Sequence, residues 1–137
     1  MKFIHTADIH LGAEPDAGSS YSTERPEELW NSFERLLDVC EEEQTDLLLV
    51  AGDLFHRQPL RKELKELDYL FSRLTHTQVV LMAGNHDYLK STSYYRNYPW
   101  QGPVHMFLSQ RPVPLCRTYP QGTNQQGRHD VLPARPD

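Results

Sequence analysis

The sequence predicts an α/β fold with a parallel sheet, and three observations carry that expectation. Short apolar runs alternate with longer amphipathic stretches in the order β-α-β-α-β. The amphipathic stretches repeat their apolar residues at helical spacing. Each apolar run ends abruptly at a polar loop. Strands joined by helices of this length imply right-handed crossovers and a sheet covered on both faces.

Phe3-Ile4-His5-Thr6-Ala7 carries β-formers before a polar loop and reads as the first strand. Glu27 to Gln44 reads as the first helix. Leu29, Trp30, Phe33, Leu36, Leu37 and Cys40 share one face, and Pro26, Glu27 and Glu28 suit its first turn. Leu47-Leu48-Leu49-Val50-Ala51 is a continuous apolar run between Asp46 and Gly52, the mark of a strand buried on both faces. Leu60, Leu64, Leu67, Leu70, Phe71 and Leu74 form a second amphipathic helix. Gln78 to Ala83 is a third strand ending at Gly84, and Val104 to Leu108 has the composition of a fourth.

Composition narrows the function classes. Apolar residues make up 38% and charged residues 24%, which supports a core and argues against wholesale disorder. Fourteen basic against nineteen acidic side chains give a charge of −5, so a globally basic nucleic-acid coat is excluded, though a local basic groove is not. Cys40 and Cys116 are too few and too far apart for a disulfide scaffold or a zinc knuckle. No run reaches the ~20 apolar residues that span a bilayer, and the first residues lack the pattern of a signal peptide. The expectation is a soluble, reduced, cytoplasmic protein without membrane contact.

Composition changes near Arg111. Six of the ten prolines fall between Pro103 and Pro136. Residues 1–110 hold ten basic and seventeen acidic side chains, and residues 111–137 hold four and two. The expected organisation is one domain over 1–110 and an irregular tail over 111–137. Truncation, a frame-shifted tail and a native disordered tail all fit that change.

The residues after each strand carry the chemistry. Asp8-Ile9-His10-Leu11-Gly12 follows the first, Gly52-Asp53-Leu54-Phe55-His56 the second, and Gly84-Asn85-His86-Asp87 the third. Ligands bind at the carboxyl ends of strands in open α/β sheets. Neighbouring strands lie roughly 4.8 Å apart, so these loops can converge. Two carboxylates, a carboxamide oxygen and imidazoles suit a first-row divalent metal such as manganese or iron. Each motif alone also fits an ordinary turn or helix cap; the three in order, each at a strand end, point to a metal site.

The ordered set Asp8-x-His10, Gly52-Asp53 and Gly84-Asn85-His86-Asp87 resembles the calcineurin-like metallophosphoesterase superfamily. Within it, the stretches Phe3 to Gly12 and Ala51 to His56 are similar to SbcD-type DNA repair nucleases, and the resemblance covers about residues 1–110. It implies the N-terminal half of an α/β/β/α sandwich with a mixed, mostly parallel sheet. It implies two divalent metal ions, by preference Mn2+. Asp8 and His10 would hold the first, Asp53 would bridge both, and Asn85 would hold the second. His86 would orient the phosphate and serve the leaving oxygen, and His56 would lie near the scissile phosphate. The implied partners are DNA, an SbcC-like ATPase and, in the full-length family, a second copy. Another phosphoesterase, acting on phosphoproteins, nucleotides or lipid pyrophosphates, and a non-catalytic fragment are the alternatives.

The sequence departs from the family in one respect. Three further histidines complete the family's metal sites, in a Gly-His pair and a Gly-His-x-His motif, and neither motif stands in this chain. The second metal would therefore have only two ligands, and the chain alone is expected to be inactive or nearly so. Apolar sheet faces meant for a second sheet would lie exposed.

Other residues read structurally. His5 is expected as a core or hydrogen-bonded histidine, His76 at a helix end, His105 on a strand, and His129 in the tail. Asp87 is expected to anchor its loop. Tyr88, Tyr94, Tyr95, Tyr98 and Trp100 form an aromatic cluster, read as packing ahead of a base-stacking surface. Arg57, Arg61, Lys62 and Lys65 are expected to open the second helix as a solvated face.

Overall fold

The computed structural model of the chain describes residues 1–108. The expected tail, with Cys116 and His129, lies outside the described residues. Four strands, β1 (Phe3–Thr6), β2 (Leu47–Ala51), β3 (Gln78–Met82) and β4 (Val104–Phe107), alternate with helices α1 (Arg25–Glu42), α2 (Arg61–Ser72) and the short α3 (Tyr94–Asn97). The strands form one parallel sheet in the order β1-β2-β3-β4. The α/β class and the parallel sheet are as expected, and the fourth strand forms.

Helix α1 starts and stops two residues earlier than its periodicity suggests. Pro26 fits the first turn, where no intrahelical N–H bond is needed. At the other end Gln44 adopts φ +51°, a left-handed conformation that stops the helix. Helix α2 begins at Arg61, so Arg57 precedes it rather than opening it. The Glu63 carboxylate reaches back to accept the Leu60 N–H at 2.7 Å and receives both arms of the Arg57 guanidinium at 2.9 Å. Burial opposes the ionisation of Glu63, but Arg57 and the Leu60 N–H outweigh it and hold the carboxyl below the usual range.

Register explains where the core lies. Ile4, Leu48, Val79 and Val104 are aligned, and so are Thr6, Val50, Leu81 and Met106. This face packs against Phe33, Leu37 and Cys40 of α1 and Leu64, Leu67 and Phe71 of α2. The opposite face aligns Phe3 with Leu47 and Gln78, then His5 with Leu49, Val80 and His105, then Ala51 with Met82 and Phe107. Among the described residues the helices pack on one face only, so the expectation of a sheet covered on both is corrected. Burial along β2 alternates accordingly, with Leu48 and Val50 buried and Leu47, Leu49 and Ala51 half-buried. Phe3 and Met82 stand exposed. A continuous apolar run could not reveal this, because its composition is the same on both faces.

His5 lies on the open face and is exposed, so it is not a core histidine. His76 sits beyond α2 and faces Asp46 at 2.9 Å, which replaces the expected helix-end role. His105 meets the Gln78 amide oxygen at 2.9 Å, a structural role as expected. In the aromatic cluster, Tyr95 is fully buried edge-on to Phe55, and Trp100 packs on Phe71 and Tyr98. Asp68 fixes that segment by accepting the Gln101 and Gly102 N–H groups at 3.0 Å. Tyr88 and Tyr94 remain exposed.

Candidate metal centre

The parallel pairing of β1 and β2 continues past the strand ends and zips their loops together. The Asp8 N–H donates to the Gly52 carbonyl at 3.1 Å, His10 to Asp53 at 3.0 Å and Leu11 to Leu54 at 2.8 Å. The His56 N–H then returns to the Leu11 carbonyl at 2.9 Å. Leu11, Leu54 and Phe55 are fully buried and anchor both loops in the core. Asp8, His10, Asp53 and His56 are thereby set opposite one another.

The loop after β3 is tied in by two carboxylates. Asp53 Oδ1 accepts the His86 N–H at 2.8 Å. Asp87 is fully buried; its Oδ1 accepts the Gly84 N–H at 2.7 Å and its Oδ2 the Phe55 N–H at 3.2 Å. Asp87 thus anchors its own loop and joins it to the loop after β2. A side chain at position 84 is impossible without movement, because its Cβ would fall 2.1 Å from Asp53 Oδ1. Asn85 is exposed between the two tethered N–H groups.

Three site residues have left-handed backbones: Asp8 at φ +55°, His10 at +56° and Asp53 at +50°. Such conformations cost of order 1 kcal/mol or more each and persist where surrounding bonds impose them. Here the interloop bonds impose them.

The side chains converge in two groups that share one ring. Ligand atoms of Asp8, His10 and Asp53 lie within 4.8 Å of one another, and so do those of His10, His56 and His86. His10 turns Nε2 toward Asp8 Oδ1 at 3.9 Å and Nδ1 toward His56 Nδ1 at 3.3 Å. The His56 and His86 rings stack at 5.0 Å, with His10 edge-on to both. His86 Nδ1 lies 3.0 Å from the His56 carbonyl, which can only accept, so this nitrogen carries the proton.

These residues fit a divalent ion. Asp53 is only 6% exposed, and among the described residues no cationic side chain pairs with it. A buried, unpaired carboxylate beside a second carboxylate and an imidazole is costly unless a cation compensates it. The group opens into a cleft of about 550 Å³ lined also by Glu14, Pro15 and Leu29. Glu14 and the left-handed backbones escaped the sequence reading. Glu14 belongs to no motif, and an Asp or His with positive φ looks like any other in sequence.

The sequence profile of the family described as calcineurin-like phosphoesterase matches residues 1–128. The DNA double-strand break repair protein Mre11 of Aeropyrum pernix is 36% identical over 90 residues, which cover 63% of this chain and 21% of that protein. The metallophosphoesterase YhaO of Bacillus subtilis is 33% identical over 122 residues, 82% of this chain and 29% of its own. The SbcD component of the SbcCD nuclease of Escherichia coli is 32% identical over 90 residues, 64% of this chain and 21% of its own. Among solved structures, the nuclease MPE of Pseudomonas putida aligns with a TM-score of 0.43 at 25% identity, over 61% of this chain and 38% of that one. The chain spans between 21% and 29% of the length of these three curated relatives. With its profile matched over most of its length, this chain belongs to the calcineurin-like phosphoesterase family.

Proposed function

We propose that this chain carries part of the active site of a metal-dependent phosphodiesterase of SbcD type that acts on DNA. The supporting observation is the convergence of Asp8, His10 and Asp53 on one point beside the exposed His56 and His86. In this reading Asp8, His10, Asp53 and Asn85 hold two divalent ions, and the oxygen-rich donor set favours Mn2+. Bound there, the ions supply Lewis-acid activation of water near neutral pH and neutralise phosphate charge. Asp53 keeps Oδ2 and the remaining lone pair of Oδ1 for them, since only Oδ1 takes the His86 N–H. His86 holds its Nδ1 proton against the His56 carbonyl, so Nε2 is the nitrogen left to meet the phosphate and the leaving oxygen. His56 stacks beside it, in reach of the same phosphate.

Similarity to proteins named for DNA break repair and for the SbcCD nuclease supports DNA as the substrate. An SbcC-like ATPase would dock on parts of those longer relatives that this chain does not span. The 137-residue chain alone is expected to form no stable complex with such an ATPase.

The test is hydrolysis of linear duplex DNA and of p-nitrophenyl phosphate by the purified chain with Mn2+, alongside Asp8→Ala. The expected result is at most trace cleavage of DNA, Mn2+-dependent and absent in Asp8→Ala. Preference for the monoester, or DNA cleavage that persists in Asp8→Ala, contradicts the reading.

A further inference from the structure

Three imidazoles meet at one edge of the cleft. The nearest nitrogens of His10, His56 and His86 lie within 4.8 Å of one another, and His10 Nδ1 and His56 Nδ1 are 3.3 Å apart. His56 and His86 are exposed and His10 is partly buried, so an ion can enter from solvent. His86 is already oriented as a ligand. Its Nδ1–H donates to the His56 carbonyl, which leaves the Nε2 lone pair outward. Metal-ligating histidines are commonly fixed in this way. Three histidine nitrogens with a water are a set favoured by zinc, and imidazole in general favours zinc, copper and nickel over manganese.

We propose that His10, His56 and His86 form a nitrogen-only site for a borderline divalent cation of the Zn2+ type, and that this site competes with one on Asp8, His10 and Asp53. The competition follows from the shared ring. A neutral imidazole has one N–H and one lone pair. His10 points Nε2 at Asp8 and Nδ1 at His56, so its single lone pair serves one group at a time. An ion on the imidazoles therefore displaces a harder ion from the carboxylates. The proposal rests on the geometry of the three rings; the phosphodiesterase reading supplies only a consequence, namely that Zn2+ would occupy His56 and His86.

The experiment uses the 137-residue protein with Zn2+ and Mn2+ as probes and no substrate. Calorimetry gives Zn2+ affinity, and the electron paramagnetic resonance signal of aqueous Mn2+ gives Mn2+ affinity. Loss of one of three ligands should cost no less than loss of an outer hydrogen-bond partner, about 10–100-fold. His56→Ala is therefore expected to weaken Zn2+ binding at least about tenfold and to leave Mn2+ affinity within about twofold. Asp53→Asn should show the reverse pattern. One equivalent of Zn2+ should release bound Mn2+ from the unaltered protein. Circular dichroism of each variant separates loss of a ligand from loss of fold. Absence of Zn2+ binding, or a folded His56→Ala with unchanged Zn2+ affinity, overturns the site. Retention of the full Mn2+ complement beside one equivalent of bound Zn2+ overturns the competition. A protein that cleaves no DNA could still pass every arm of this test.

Discussion

Asp53 Oδ1 accepts the backbone N–H of His86 at 2.8 Å, joining residues 33 apart in sequence. One carboxylate thereby sets the position of His86 and faces the proposed metal site. Its two duties can be separated by substitution. Asn at position 53 keeps an oxygen to accept the His86 N–H and tolerates a left-handed backbone, but it lacks the charge. Asp53→Asn is expected to preserve the fold and weaken Mn2+ binding about tenfold or more, the lower bound set by outer-partner losses. Asp53→Ala removes both functions and should also destabilise the loop by about 1–3 kcal/mol. Equal Mn2+ affinity in the parent and Asp53→Asn, measured by titration, would refute the ligand role.

Gly84 tests how tightly the second and third loops are joined. An added Cβ would lie 2.1 Å from Asp53 Oδ1 and 2.5 Å from the Asp53 backbone nitrogen. Backbone cannot yield as a flexible side chain can, so Gly84→Ala should cost about 1–3 kcal/mol or more and weaken metal binding together with stability. Gly18→Ala is the comparison. Its φ is +89° with open space around it, so it should cost only the left-handed penalty of about 1–2 kcal/mol and leave metal binding unchanged. Urea unfolding of both variants checks this.

Acid should expose the contribution of Glu63. Its folded-state pKa lies below the usual value, so it stabilises the fold fully above the unfolded glutamate range, near pH 4.3, and loses that effect as pH falls through the lower folded value. Urea midpoints followed from pH 6 downward should therefore fall more steeply in the parent than in Glu63→Gln. Parallel curves would show that the Arg57 and Leu60 contacts do not hold the carboxylate.

Tyr95 carries a fully buried hydroxyl with no hydrogen-bond partner among the described residues. Burial raises its pKa well above the usual phenol range, so the group stays neutral. Tyr95→Phe keeps the edge-on contact with Phe55 and removes an unsatisfied polar atom. Thermal unfolding should show unchanged stability or a gain of about 1 kcal/mol. Tyr95→Ala should lose about 3–5 kcal/mol, as large-to-small core changes do.

Much of this architecture is legible in the sequence. Periodicity marks α1 and α2, and short apolar runs mark all four strands, because both signals arise from burial local to the element. The strand-end motifs are legible too, and the structure brings Asp8, His10, His56 and His86 to one cleft, with Asp53 within 4.8 Å of Asp8 and His10. An exposed sheet face is expected of half a sandwich, but which residues line it is not legible, because Leu47 and Leu48 are the same residue type and only register assigns them to opposite sides. The Arg57–Glu63 fork was hidden for a related reason: it depends on where α2 begins, and a cap is weaker in sequence than an apolar stripe. The left-handed backbones of Asp8, His10 and Asp53 are imposed by bonds between distant segments and leave no local signature.

The most direct test of the central claim is diffraction at the manganese absorption edge from crystals of the protein soaked in Mn2+. The account predicts anomalous density in the space bounded by Asp8, His10 and Asp53. Fully soaked crystals with no density there, or with density only at other carboxylates, would contradict it.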